Sequence, residues 1–389
     1  MKYSNKLVAS MAIGLGMAGS NAAMGAATIT SDDGGFSTTL GGRIQVDAWA
    51  VDRDHDGTPS GKSGTEFRRA RIFVSGTMYD KWFYKAQYDF AGNSVSMKDA
   101  YIGYKGLDAF DIKIGNFKQP MSLEELTSSK YITFMERALP VEAFATSRRI
   151  GLGIYKHAKH LNWAVSVYGK EPGTSAANSE AYGVGGRLAW SPVNEKGSVI
   201  HLGASAAFEE TNDSGLRYRS HMENHGTSRY LDTGTIAGAE DSTKYGLEAA
   251  AVFGPLSVQG EYFLTQTTAS APGVDDPEFD GYYAFVSWFL TGESRSYKKG
   301  AFARVSPKSI VGKGGSGAWE LAARYSYTGL EDGGINGGEE TNVTLGLNWY
   351  ATKYVRFMLN YVMVDSDPVE GTNMDDKPNI VQARAQIDF

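Results

Sequence analysis

Val381-Gln382-Ala383-Arg384-Ala385-Gln386-Ile387-Asp388-Phe389 alternates apolar and polar residues without a break. A strand sends successive side chains to opposite faces, so this ribbon has one apolar face and one polar or charged face. The pattern recurs upstream. Leu40, Ile44, Val46 and Ala48 interleave with Arg43, Gln45 and Asp47, and Trp82, Tyr84, Ala86 and Tyr88 with Phe83, Lys85, Gln87 and Asp89. Trp319, Leu321, Ala323 and Tyr325 interleave with Glu320, Arg324 and Ser326. A soluble sandwich would turn the charged phase to water and the apolar phase to a core. In a lipid-embedded barrel the faces invert, with apolar residues and aromatic girdles outward and charges around a wet lumen. Such segments number about sixteen, an even count that suits antiparallel closure around an aqueous channel. The expected fold class is all-β, a transmembrane antiparallel β-barrel.

The connections point the same way. Tight turns are expected at 79–81, 106–108, 158–160, 254–255 and 351–353. Longer links at 51–65, 118–149, 210–242, 329–339 and 365–378 alternate with them, as short periplasmic turns alternate with long outer loops. Residues 291–316 break the order by being long where a short turn is due. Either a strand is hidden there or a periplasmic segment folds back into the lumen.

Composition removes several alternatives. No cysteine is present, which excludes disulfides, a thiol nucleophile and thiolate metal sites. A net charge of −6 disfavours a nucleic-acid partner. At the start, Lys2 and Lys6 precede an apolar stretch from Leu7 to Met17 and then small residues to Ala27. That order reads as a secretory leader, giving a signal peptide at 1–27 and a barrel domain at 28–389. No later apolar run reaches the roughly 18 residues of a spanning helix.

Stretches along the chain then become recognisable. Leu40-Gly41-Gly42-Arg43, Phe67-Arg68-Arg69-Ala70, Asp99-Ala100-Tyr101 and Ile114-Gly115-Asn116-Phe117 are similar to the phosphate-selective porin O and P family. So are Leu123-Glu124-Glu125-Leu126-Thr127-Ser128-Ser129, Phe134-Met135-Glu136-Arg137 and Gly346-Leu347-Asn348-Trp349-Tyr350. The ribbon ending on Phe389 also resembles the last strand of many outer-membrane proteins. The resemblance implies a homotrimer of sixteen-stranded porins in the bacterial outer membrane, set among lipid and lipopolysaccharide. It implies passive diffusion of small anions such as phosphate, with no cofactor and no catalysis. It also implies that the third and fifth outer loops and one periplasmic turn enter the lumen. Its anion-pathway residues correspond to Arg43, Arg68, Arg69 and Arg137, with Arg217 and Arg219 continuing an outer arginine ladder in which His221 takes a third place. Two expected lysines fall at Phe83 and Glu125, and their partner aspartate falls near Lys98 or Asp99. By simple alternation Arg68 points outward, so a bulge or strand end has to turn it in. With those lysines replaced, a weakly selective general diffusion porin is the alternative.

Other chemistry is sparse. Residues 291–316 carry Arg295, Lys298, Lys299, Arg304, Lys308 and Lys313 against Glu293, a basic lining suited to anions. Asp52, Asp54 and Asp56, followed by Gly57, resemble the start of a calcium loop, but its closing acid should stand at Ser63. An acidic outer loop bridged to lipopolysaccharide by divalent ions reads equally well there. No H-E-x-x-H or P-loop occurs, and a barrel hydrolase would need an outward Ser–His pair that His201, in the inward phase, does not provide.

Overall fold

The computed structural model describes residues 26–52, 63–169, 171–172, 181–211, 215–367 and 377–389. Short β1 (Ala27–Thr30) precedes β2 (Phe36–Asp52), β3 (Gly64–Met78), β4 (Trp82–Asp89), β5 (Ser96–Tyr104) and β6 (Asp111–Lys118). Two short helices follow, α1 (Leu123–Leu126) and α2 (Leu139–Phe144). Next come β7 (Arg148–His157), β8 (Leu161–Tyr168), β9 (Gly183–Glu195) and β10 (Ser198–Glu210). Two-residue pieces, β11 (Arg219–Ser220) and β12 (Leu231–Asp232), pair with each other inside a loop. The chain continues through β13 (Ala239–Phe253), β14 (Leu256–Ala269) and β15 (Glu278–Phe289) to a small hairpin of β16 (Ser296–Lys298) and β17 (Ala301–Ala303). It ends with β18 (Ala318–Asp332), β19 (Ile335–Tyr350), β20 (Val355–Asp367) and β21 (Asn379–Asp388). Neighbours pair antiparallel, and β21 pairs with both β20 and β2, so the sheet closes with sixteen long strands. Closure removes the free edges that lipid could not satisfy.

Burial inverts as the alternation predicts. Leu247 is 60% exposed on the outer wall while Arg324 is 2% exposed inside. On β21, Val381, Ala383 and Ala385 are exposed and Gln382, Arg384 and Gln386 are buried. An apolar face left this open in water would forfeit about 25 cal/mol per Å², whereas lipid accepts it. β1 continues the line of β21: Phe389 exchanges backbone hydrogen bonds with Gly42, and Ala27 pairs with Leu40.

All sixteen expected strands are present, but two connections differ from the reading. Residues 329–339 form no long loop, because β18 and β19 extend to a tight turn at Gly333-Gly334 with φ of 57° and 82°. Above the lipid boundary a strand needs no apolar phase, and polar Glu331, Asp332 and Asn336 hid this hairpin end. The short turn after Glu195 was likewise masked by polar strand residues. The long periplasmic link folds back into the barrel as the β16–β17 hairpin. Arg187 donates to its Gly300 carbonyl at 2.9 Å, and Tyr297 Oη meets His201 Nδ1 at 2.6 Å.

The loop from 119 to 147 fills one side of the lumen. Its backbone is held by side chains of the β14 and β18–β21 wall. Glu261 accepts from the Leu123 and Glu124 N–H groups, Arg356 donates to the Ile132 and Thr133 carbonyls, and Asn360 accepts from Met135 N–H. Its apolar residues Phe134, Leu139, Val141 and Phe144 pack with Phe263, Phe279 and Phe285. The described part of the next long outer loop, 215–238, adds Tyr218, Leu231 and Ile236 to that cluster. The opposite wall, β2 to β8, is left facing open space.

Candidate functional site

The open space beside β2–β6 is a cavity of about 530 Å³ between that wall and the 119–147 loop. Eleven lysines and arginines line it against two carboxylates, Asp99 and Glu125. The strand period delivers the charges, since Arg71 on β3 and Lys85 on β4 lie in the inward phase of their ribbons.

Arg68 and Arg69 both reach the lumen because β3 bulges. Gln45 pairs with Arg69 and Val46 with Phe67, so Arg68 is the extra residue that adjusts the phase. Arg68 grips Glu136 through two bonds of 2.9 Å, Arg69 approaches the same carboxylate at 3.5 Å, and Arg384 reaches it at 2.6 Å. Burial opposes ionisation of Glu136, but Arg68, Arg69 and Arg384 hold its carboxyl well below the usual range. Glu136 therefore ties the loop to the wall.

Arg137, itself on the loop, braces it from within. Its Nε meets Glu125 Oε2 at 2.8 Å and the Glu124 carbonyl at 3.3 Å, and its Nη2 donates to the Glu125 and Thr127 carbonyls. Lys118 pairs with the other Glu125 oxygen at 3.2 Å. Burial works to raise the Glu125 carboxyl, yet Arg137 and Lys118 bring it down to about 2. Asp99 meets Lys85 at 2.5 Å and Arg148 at 2.7 Å. The lysine sits at 85, two residues from Phe83 on the same inward face.

Pairing sorts the cations. Among the described residues, Arg68, Arg69, Arg71, Lys85, Lys118, Lys130, Arg137 and Arg148 each have a carboxylate partner. Arg43, Lys98 and Lys113 have none. Arg43 donates to Ser129 Oγ at 2.8 Å, and the Lys113 ammonium lies among the rings of Tyr101, Phe117 and Tyr155. Lys98 and Lys113 were not assigned to the site from sequence, although both belong to strands whose alternation was visible.

The remaining expected residues lie elsewhere. Arg217 pairs with Asp232 in the outer loop and is largely exposed, and Arg219 is exposed on β11. Neither lines the cavity. His221 meets Glu142 at 2.5 Å and His225 meets Glu66 at 2.9 Å, with the two imidazoles 5.3 Å apart. Of the calcium candidates only Asp52 is among the described residues, and Asp54 and Asp56 lie outside them. Among the described residues no cluster of His, Asp or Glu could hold a metal ion.

Comparison with known proteins agrees with this architecture. The chain is 31% identical over 386 residues to an uncharacterized protein of Caulobacter vibrioides, covering 94% of this chain and 76% of that one. It is 30% identical over 404 residues to Porin O of Pseudomonas aeruginosa, covering 94% and 91%. Among solved structures, the anion-selective porin from Comamonas acidovorans shares the fold with a TM-score of 0.59 at 14% identity, over 91% of this chain and 100% of its own. The profile of the family described as phosphate-selective porin O and P matches residues 38–389. The chain therefore belongs to that family, as an outer-membrane porin of sixteen antiparallel strands.

Proposed function

We propose that this porin conducts small anions passively, with phosphate-like oxyanions as its preferred class, and performs no catalysis. The observation that carries the reading is the imbalance of charge along the cavity, eleven cations against two carboxylates. A pore's preference follows the charges at its constriction, so a chain of net charge −6 can still select anions. Because Glu136, Glu125 and Asp99 are each shared by two or more cations, the paired groups keep an excess of positive charge, while Arg43, Lys98 and Lys113 keep donors for the ion itself. An anion about 4 Å from one such charge gains about 4 kcal/mol at an effective dielectric near 20. Several sites of this strength in series allow release as well as entry. Arg68, Arg69 and Arg137, expected from sequence to bind the ion, act in this reading as loop anchors at the margin of the path. Arg217 and Arg219 attract anions at the outer mouth. Residues 1–27 serve as the export leader.

The same reading includes a homotrimer, and the uneven wall heights support association between copies. β4 and β6 have 8 residues each and β5 has 9, whereas β13 and β18 have 15. A lone tilted strand needs about 9–11 residues to cross the bilayer. In this reading the low wall, with Tyr88, Met97, Ile102 and Ile114 exposed on it, packs against a neighbouring copy. The test of the main reading is the reversal potential across a planar bilayer under a KCl gradient. Its sign should report chloride as the favoured ion, and a cation preference would reject the proposal.

A further inference from the structure

Below the constriction lies a second compartment, a cavity of about 280 Å³ that shares Lys113, Phe117, Lys118 and Leu126 with the first. Its composition differs. One side presents the rings of Phe117 and Tyr155 with Pro120, Leu126 and Ala164, and the other presents Lys298 and Lys299 from the β16–β17 hairpin. Lys118 and Arg187 also reach it, but each already has a carboxylate partner, Glu125 and Glu248. The unpaired charges facing this space among the described residues are Lys113, Lys298 and Lys299. Lys113 stands at the waist between the compartments, its ammonium 5.0 Å from the Tyr101 ring and 4.8 Å from those of Phe117 and Tyr155. Rings position a cation by their quadrupole without cancelling its charge, so Lys113 is fixed and still available to an anion. A carboxylate in place of those rings would have fixed it equally well and spent the charge.

An inorganic oxyanion has no use for an apolar wall beside its cations. We propose that the lower compartment binds small organic anions with a flat apolar body, of the aromatic carboxylate class. The carboxylate meets Lys113, Lys298 and Lys299, and the ring lies on Tyr155 and Phe117. The hairpin that supplies two of these lysines is pinned by Arg187 at Gly300 and by His201 at Tyr297, so the cations keep their places. This rests on the anion-channel reading and adds a ligand class to it.

The experiment compares benzoate with acetate, equal in charge and different in the ring, as blockers of chloride current through the full-length porin in planar bilayers. Benzoate should half-block at about a tenfold lower concentration, the size expected when one ring contact is gained. Tyr155→Leu should narrow that ratio, and Tyr155→Phe should keep it. Equal block by the two acids in a pore that prefers anions would overturn this inference alone. A pore that prefers cations would remove the functional reading first. Should Tyr155→Leu fail to assemble, the wild-type ratio and the Phe variant still decide. A ratio indifferent to the Leu variant would place the ring contact elsewhere and also overturn the proposal.

Discussion

Glu136→Gln separates loop anchoring from ion conduction. In the native protein this one carboxylate is shared by Arg68, Arg69 and Arg384. After the change Arg384 keeps Asp47 and Arg69 keeps Gln45, whereas Arg68 loses its ion pair. Removing one member of a buried ion pair costs about 3–5 kcal/mol locally. The loop stays attached through Arg356, Asn348 and Asn360, so the barrel should still assemble. Uncovering one unit charge at ~8 Å from the ion path contributes ~2 kcal/mol at an effective dielectric near 20. Screening at physiological salt lowers that to ~0.8 kcal/mol. The anion gains that amount and a cation loses it, so the anion-to-cation permeability ratio should rise about fifteenfold. Reversal potentials supply the ratio, and single-channel records should show added current noise as the loop loosens. An unchanged ratio, or a shift toward cations, would refute the placement of this cluster beside the path.

Three further predictions follow from particular contacts. Lys98→Gln should weaken phosphate block of chloride current about tenfold, since an unpaired positive charge is lost, while Arg137→Gln should change it less than about threefold; titrating the block with phosphate checks both. The Glu125 carboxyl lies at about 2, below its ordinary unfolded value of about 4.3. Its stabilising pairs are therefore complete above about pH 4 and are lost as pH falls through 2, so current noise should match at pH 7 and pH 5 and grow only near pH 3 or lower. Gly103→Ala would bring a Cβ to 2.0 Å from the Phe83 ring and 2.6 Å from the Ile112 carbonyl. That overpacking should cost about 1–3 kcal/mol, seen as a lower temperature for the heat-induced gel-mobility shift of the folded barrel.

The barrel was legible because its period of two reaches from Leu40 to Phe389 and the tight turns fall between its segments. What stayed hidden lay where that signal ends. Strand tips such as Glu331–Asp332 extend above the lipid, where both faces are polar, and the hairpin there looked like a loop. The inward arginines of β2 and β3 could be read from alternation, including the need for a bulge at Arg68. Which of them still has a free charge could not. That depends on Glu136 arriving from a loop distant in sequence, and no local pattern shows which carboxylate finds which guanidinium. Lys113 was overlooked for the same reason, since its importance comes from three rings on three different strands and from the absence of an acid.

The central claim is that the charged face of these ribbons surrounds water that admits anions while the apolar face meets lipid. The chain has no cysteine, so single cysteines report cleanly. The decisive measurement is the modification rate of Lys98→Cys and Leu247→Cys in membranes, using anionic and cationic thiol reagents of equal size. Lys98→Cys should react, faster with the anionic reagent, and lose current, while Leu247→Cys should react with neither. Ready labelling at 247 with protection at 98, or a faster cationic reagent at 98, would contradict it.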